Sequence, residues 1–190
     1  MEKNKPVICV FCGSSHGAKP QYAVAARTLG RLIAEHGFSL VFGGGGLGLM
    51  GETARAVRDG GAPVTGIMPQ FLSWIEQPPE WEKELIITPD LQLRKTRMLE
   101  MSDAFVLLPG GAGTMDEFFE VVTSASLGVL PKPVVVVNID GYFAPLEALM
   151  KHIVAEGFAK PAIRSFYKLV ETPEAAMDAI TESLGALARD

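Results

Sequence analysis

The sequence predicts an α/β fold, a single parallel sheet with helices on both faces, and three observations carry that prediction. Short apolar runs alternate with stretches of helical period along the chain. Runs such as Val134-Val135-Val136-Val137 lack polar alternation, as strands buried on both faces do. Glycine-rich loops follow directly on three of the strand-like runs. The strands expected in order are Val7–Phe11, Leu40–Phe42, Pro63–Ile67, Leu85–Thr88, Ala104–Leu108, Val134–Ile139 and a short Lys168–Val170. Helices fit between them. Tyr22–His36 carries Val24, Leu29, Leu32 and Ile33 at helical spacing and stops at Gly37. Leu49–Asp59, Leu91–Ser102, Thr114–Leu127, Pro145–Glu156 and Pro173–Leu187 follow the same logic. Gln70–Lys83, with Trp74, Pro78, Pro79 and Trp81, has no clear period and reads as an irregular flap.

Length and composition limit the function classes. At 190 residues the chain suits one domain spanning 1–190 with one continuous core. With 48% hydrophobic and 21% charged residues it belongs to neither the disordered nor the membrane class. A net charge of −5 argues against a nucleic-acid partner, which needs a basic face. No apolar window reaches a membrane span, and Met1–Pro6 carries no signal-peptide pattern, so no membrane partner and a cytoplasmic location are expected. Cys9 and Cys12 form a C-x-x-C, but Cys9 lies inside an apolar run and no second Cys/His pair completes a zinc site. Small buried side chains are expected there, and no metal.

In an open parallel sheet, ligands bind beyond the carboxyl ends of the strands where strand order reverses. Cys12–Lys19, Gly43–Gly48 and Pro109–Thr114 all follow strands, so the topology predicts that they converge on one edge. Gly43-Gly44-Gly45-Gly46-Leu47-Gly48-Leu49-Met50-Gly51 satisfies G-x-G-x-x-G twice. A dinucleotide fingerprint is opposed by its place after the second strand. It is also opposed by Thr65-Gly66-Ile67-Met68-Pro69, which ends the next strand without an acidic residue. Amide contacts from Gly44 and Gly45 to a phosphate, or a purely structural turn, remain open.

Pro109-Gly110-Gly111-Ala112-Gly113-Thr114-Met115-Asp116-Glu117 is the more specific signal. It is no P-loop, since no Gly-Lys-Ser/Thr follows. Gly110, Gly111 and Gly113 form a turn whose spare amides suit a phosphate. Thr114 reads as the helix N-cap, with Asp116 and Glu117 in the first turn. Those carboxylates either compensate the helix dipole or have chemical work, such as orienting a ribose or activating water. On the preceding helix, Arg94, Arg97 and Met98 share a face. The two arginines form either a phosphate clamp or a solvated basic patch. Ser14 and Ser15 are phosphate ligands or a turn.

Together, Phe11-Cys12-Gly13-Ser14-Ser15, Gly43-Gly44-Gly45 with Gly48-Leu49-Met50-Gly51, Arg94-Lys95-x-x-Met98 and Pro109-Gly110-Gly111-x-Gly113-Thr114-x-x-Glu117 resemble the LOG (Lonely Guy) family. Its members are cytokinin riboside 5′-monophosphate phosphoribohydrolases, often labelled lysine decarboxylases. The resemblance spans roughly residues 6–160. It implies a Rossmann-like fold, a homodimer, and hydrolysis of the N-glycosidic bond of a purine nucleoside 5′-monophosphate to free base and ribose 5-phosphate, with no organic cofactor. It assigns catalysis to Arg94 and Glu117, and substrate contacts to Lys95, to Gly111, Ala112, Gly113, Thr114, Met115 and Asp116, and to Thr123. Glu76 corresponds to a further acidic contact. Asp116 stands where the family pattern most often has glutamate, and Gln70–Lys83 departs from plant members, so a prenylated-base preference is not carried over.

The alternative from another class is a non-catalytic nucleotide or molybdenum-cofactor carrier, which has no chemical reason to keep the Arg94/Glu117 pair. A pyridoxal decarboxylase would need a Schiff-base lysine and a cofactor cup for which the chain shows no pattern.

Overall fold

The computed structural model describes residues 5–74 and 84–187. Seven parallel strands form one sheet: β1 Val7–Phe11, β2 Ser39–Phe42, β3 Val64–Pro69, β4 Leu85–Thr88, β5 Ala104–Leu107, β6 Val134–Val137 and β7 Lys168–Val170. Their spatial order is β4-β3-β2-β1-β5-β6-β7. The chain winds outward from β1 to β4, returns to pair β5 with β1, and winds outward again on the other side. The switch point is therefore the β1/β5 junction, where Val10 pairs with Val106 and Phe11 with Leu107.

Six helices cover the two faces: α1 Pro20–Glu35, α2 Gly48–Asp59, α3 Leu91–Met101, α4 Ala112–Ser126, α5 Ala144–Ala155 and α6 Pro173–Leu187. Strand alternation divides the core in two. Ile8, Val10, Leu40 and Phe42 point into one layer with Leu29, Ile33, Val57 and Ile180, beneath α1, α2 and α6. Cys9, Phe11, Val41, Phe105 and Val136 point into the other with Met98, Phe118 and Met150, beneath α3, α4 and α5. The strands are buried on both sides, as the apolar runs predict. Cys9 and Cys12 are free, buried and committed to opposite layers, consistent with small packing residues.

Boundaries differ from the expected ones by a residue or two. The first helix starts at Pro20, whose fixed φ suits the first turn, and its end is followed by Gly37 at φ +71°. The sixth strand stops at Val137 because Ile139–Gly141 turns into a short 3-10 segment containing Asp140 at φ +52°. The third strand runs on to Pro69 through pairing with β4. Of the irregular stretch, Leu72–Trp74 forms a 3-10 turn; Glu76 lies outside the described residues. No described helix is long and apolar enough to cross a membrane.

Candidate active site

The three predicted loops do converge. Gly13 N donates to Pro109 O at 3.0 Å, tying the loop after β1 to the loop after β5 across the switch point. Met50 N reaches Gly13 O at 3.3 Å and Leu49 N reaches Ser15 O at 3.4 Å, tying the loop after β2 to the first. These bonds use amides from the first turn of α2, which would otherwise face a ligand. Gly48, at φ +59°, permits the approach, since a Cβ there would overlap the Ser14–Ser15 backbone.

Beside this junction opens a cavity of about 360 Å³. One side is the start of α4, where Gly111, Ala112, Gly113 and Thr114 line it. Gly111 is the N-cap and Thr114 the third helical residue, which corrects the expectation that Thr114 caps the helix. No side chain caps this end, so the amides of Ala112, Gly113 and Thr114 have no acceptor within the helix and present positive dipole ends to the cavity. Asp116 and Glu117 accordingly fall in the second turn, not the first. Dipole compensation at the helix start therefore does not explain Glu117.

Glu117 instead lines the cavity, with its side chain 9% exposed and one carboxylate oxygen 3.6 Å from Arg94 Nη1. That separation makes an ion pair without a hydrogen bond. Burial pushes the Glu117 carboxyl up to about 7; Arg94 pulls it down, Asp116 adds to the rise and Lys95 opposes it. Arg94 projects from α3, whose first turn is capped by Asp90 accepting from Leu93 N at 2.7 Å. Its Nε donates to Ile67 O on β3 at 3.1 Å. Gly43 leaves the room for it, because a Cβ there would overlap the Arg94 guanidinium and stand 2.9 Å from Met50 Sδ. Ser14 and Met98 also line the cavity, and Val10, Cys12, Met50, Leu72 and Leu91 give it an apolar side.

Not every predicted residue reaches this space. In the second glycine loop Gly43 lines the cavity, whereas Gly44 and Gly45 are buried behind it. Arg97 does not join Arg94 as a clamp; its side chain is exposed and pairs with Glu100 at 3.2 Å. Lys95 holds α3 to α4 through Asp116 at 3.1 Å and Glu120 at 2.7 Å, with Asp116 itself mostly exposed. Met115 packs against the core layer under α4, and Thr123 is exposed farther along that helix. Ser15 and Gly110 line a second, smaller cavity behind the wall of the first. Sequence reasoning missed Gly43, Met50, Leu72 and Leu91 as lining residues and Glu120 as a partner of Lys95. The four-residue spacing from Asp116 to Glu120 was the available signal for the last. No group of three or more metal-ligating side chains occurs among the described residues.

A buried carboxyl facing an arginine, beside a helix N-terminus with open amides at the switch point of a parallel sheet, defines an enzyme-type α/β domain for a small phosphorylated ligand. The likeness to known proteins is more specific. A family model described as "Possible lysine decarboxylase" matches residues 50–180. A cytokinin riboside 5′-monophosphate phosphoribohydrolase of Arabidopsis thaliana is 44% identical over 92% of this chain and 81% of its own length. A second of the same name and organism is 44% identical over 88% of this chain and 76% of its own. The chain belongs to this family, the LOG family. Among solved structures, the molybdenum cofactor binding protein from the phototrophic bacterium Rippkaea orientalis superposes with a TM-score of 0.74. The match covers 96% of this chain and 99% of that one, at 22% identity, a level that shows the fold alone.

Proposed function

We propose that this protein hydrolyses the N-glycosidic bond of purine nucleoside 5′-monophosphates of the cytokinin type, releasing free base and ribose 5-phosphate. The observation that carries the reading is the buried Glu117 carboxyl, held opposite Arg94 in a cavity whose neighbouring wall is the start of α4. The names of the relatives agree with it.

Cleavage of the C1′–N bond builds positive charge on the ribose, so an adjacent ionised carboxylate stabilises the transition state. In this reading Glu117 also accepts a proton from the attacking water, whose oxygen bonds to C1′ as the base departs and takes up a proton. The amides of Gly111, Ala112, Gly113 and Thr114, with Ser14, receive the 5′-phosphate at the helix N-terminus. Arg94, fixed by Ile67 O, holds the departing base or the phosphate and keeps Glu117 charged to lower pH than burial alone would allow. Lys95, Asp116 and Glu120 brace α3 against α4 so that Arg94 and Glu117 stay in register. Binding energy from the phosphate positions the reacting centre, so plain nucleosides are poor substrates. The apolar side formed by Met50, Leu72, Leu91 and Met98 suits a base.

The reading extends to one domain over 1–190, a cytoplasmic protein acting on a small molecule without cofactor, and a homodimer. Exposed apolar residues on and around α3 and after α4 (Leu91, Leu93, Met101, Leu127 and Val129) support the last. The test is chromatography of base released from AMP and isopentenyl-AMP, beside Glu117→Gln. Release by the wild type that is lost in the variant establishes the activity, and the rate ratio gives the preferred base. Nucleotide binding without release from any monophosphate would instead favour a carrier.

A further inference from the structure

The turn Pro109-Gly110-Gly111, which sets the direction of the amides at the start of α4, has open space on both sides. Gly111 borders the catalytic cavity in front, while Pro109, Gly110 and Gly111 border a second cavity of about 200 Å³ behind. A Cβ added at Gly111 or Gly113 would meet nothing within 4 Å. At Gly110 the turn is packed, since a Cβ there would overlap Thr114 and stand 2.8 Å from Gly13 N. Beyond that point the space is open, and the aim of the Gly110–Gly111 peptide depends on hydrogen bonds. Two are present. Gly13 N donates to Pro109 O at 3.0 Å, and the Tyr142 hydroxyl donates to Gly110 O at 2.6 Å.

Tyr142 is itself well anchored. Its ring meets Tyr22 edge-on with centroids 5.6 Å apart, and Phe143 at 5.0 Å. It follows the 3-10 segment in which Asp140 adopts φ +52°, a conformation costly for a residue with a Cβ. That segment is held at both ends: Asp140 pairs with Lys19 of the loop after β1, and Phe143 N donates to Asn138 Oδ1 at 2.7 Å. The hydroxyl thus has a fixed aim. A trans peptide is planar, with its carbonyl and amide pointing in opposite directions. Anchoring Gly110 O on Tyr142 turns the Gly111 N–H away from Tyr142.

We infer that Tyr142 is a positioning residue for the phosphate subsite: through Gly110 O it orients the Gly110–Gly111 peptide, and with it the first amides of α4, toward the 5′-phosphate. The inference rests on the reading above that the phosphate binds at this helix start. Tyr142 touches no reacting atom, so its loss acts on recognition of the phosphoryl group and leaves glycosidic cleavage itself intact.

The test is Tyr142→Phe, which keeps both ring contacts and removes only the hydroxyl. Steady-state kinetics on AMP and adenosine, with inhibition by inorganic phosphate, are compared between variant and wild type. The expected result is a rise in KM for AMP of roughly tenfold, the scale of one lost hydrogen bond, with kcat nearly unchanged, phosphate inhibition weakened in parallel, and adenosine turnover unaltered. An AMP-to-adenosine preference and phosphate inhibition equal to wild type would overturn the inference. So would an equal loss on AMP and adenosine, which would mark a general structural role. If the wild type releases base but shows neither preference for AMP nor inhibition by phosphate, the phosphate-site reading fails and the positioning inference falls with it.

Discussion

The two glycine loops of this protein look alike as strings of residues and differ in what their glycines do. In the loop after β2, glycine serves close approach: Gly48 lies against the Ser14–Ser15 backbone, Gly43 against Arg94, and the amides of Leu49 and Met50 are bonded to the first loop. In the loop after β5, Gly110 is likewise packed against Thr114 and Gly13, but a Cβ at Gly111 or Gly113 would meet nothing within 4 Å, and the amides around them face the cavity. The first loop is a joint; the second, in the proposed reading, receives the phosphate. Glycine count distinguishes neither; what fills the space around each Cα does.

The largest expected effect sharpens the binding side of that contrast. Glu117→Gln should lower kcat on AMP by roughly 10³-fold while the fold remains intact by circular dichroism. The same variant should also be more stable above neutrality. The free carboxyl ionises near 4.5, whereas in the fold it keeps its proton until about 7. Over that window the folded chain binds more protons than the unfolded one. Stability therefore falls as pH rises through it and stays lowered above. Removing the group should raise stability near pH 8 by on the order of 2 kcal/mol, measurable by urea denaturation. A variant that is both inactive and destabilised at that pH would mean Glu117 is structural.

Next comes the joint. Gly48→Ala combines left-handed strain with displacement of the Ser14–Ser15 backbone, and should cost about 3 kcal/mol by thermal or urea unfolding. Gly113→Ala, in open space within a helix, should leave stability equal or up to about 1 kcal/mol higher, while raising KM for AMP severalfold as the methyl crowds the phosphate. Equal destabilisation by the two would erase the contrast.

The smallest effect tests the electrostatics. Because Glu117 acts ionised, kcat should rise with pH through its titration. Asp116→Asn removes a charge that raises the Glu117 pKa, and should shift that limb to lower pH. Lys95→Met removes one that lowers it, and should shift the limb upward. Shifts of like sign in both variants would show that bracing of α4, rather than charge, governs the profile.

Much of this architecture was legible in the chain. Apolar runs buried on both faces announced the seven strands, and parallel topology alone required the loops after β1, β2 and β5 to meet. Thr114 and Glu117 stand out because a glycine turn precedes them at a helix start, whereas spacing leaves Arg94 open and only the resemblance to the LOG family singles it out. Arg97 misled because helical spacing places residues on a face without saying how far that face extends toward a cavity; one more turn of position carried it to solvent beside Glu100. Thr114 looked like a cap because threonine prefers that place, yet the turn already ends at Gly111. Lys95 answers to Asp116 and Glu120 on a different helix, a pairing that only packing creates.

The sequence by itself determined the strands, the helices between them and the three loops that share one edge of the sheet, because these follow from local periodicity and from the connections a parallel sheet permits. Only the tertiary structure decided the strand order, with its switch point at the β1/β5 junction, and which glycine loop bonds its amides to a neighbour and which leaves them toward the cavity. It also decided that Tyr142, 32 residues beyond Gly110, reaches back to hold the turn. Such roles depend on contacts between segments distant in the chain, and those exist only once the sheet has brought the loops to one edge.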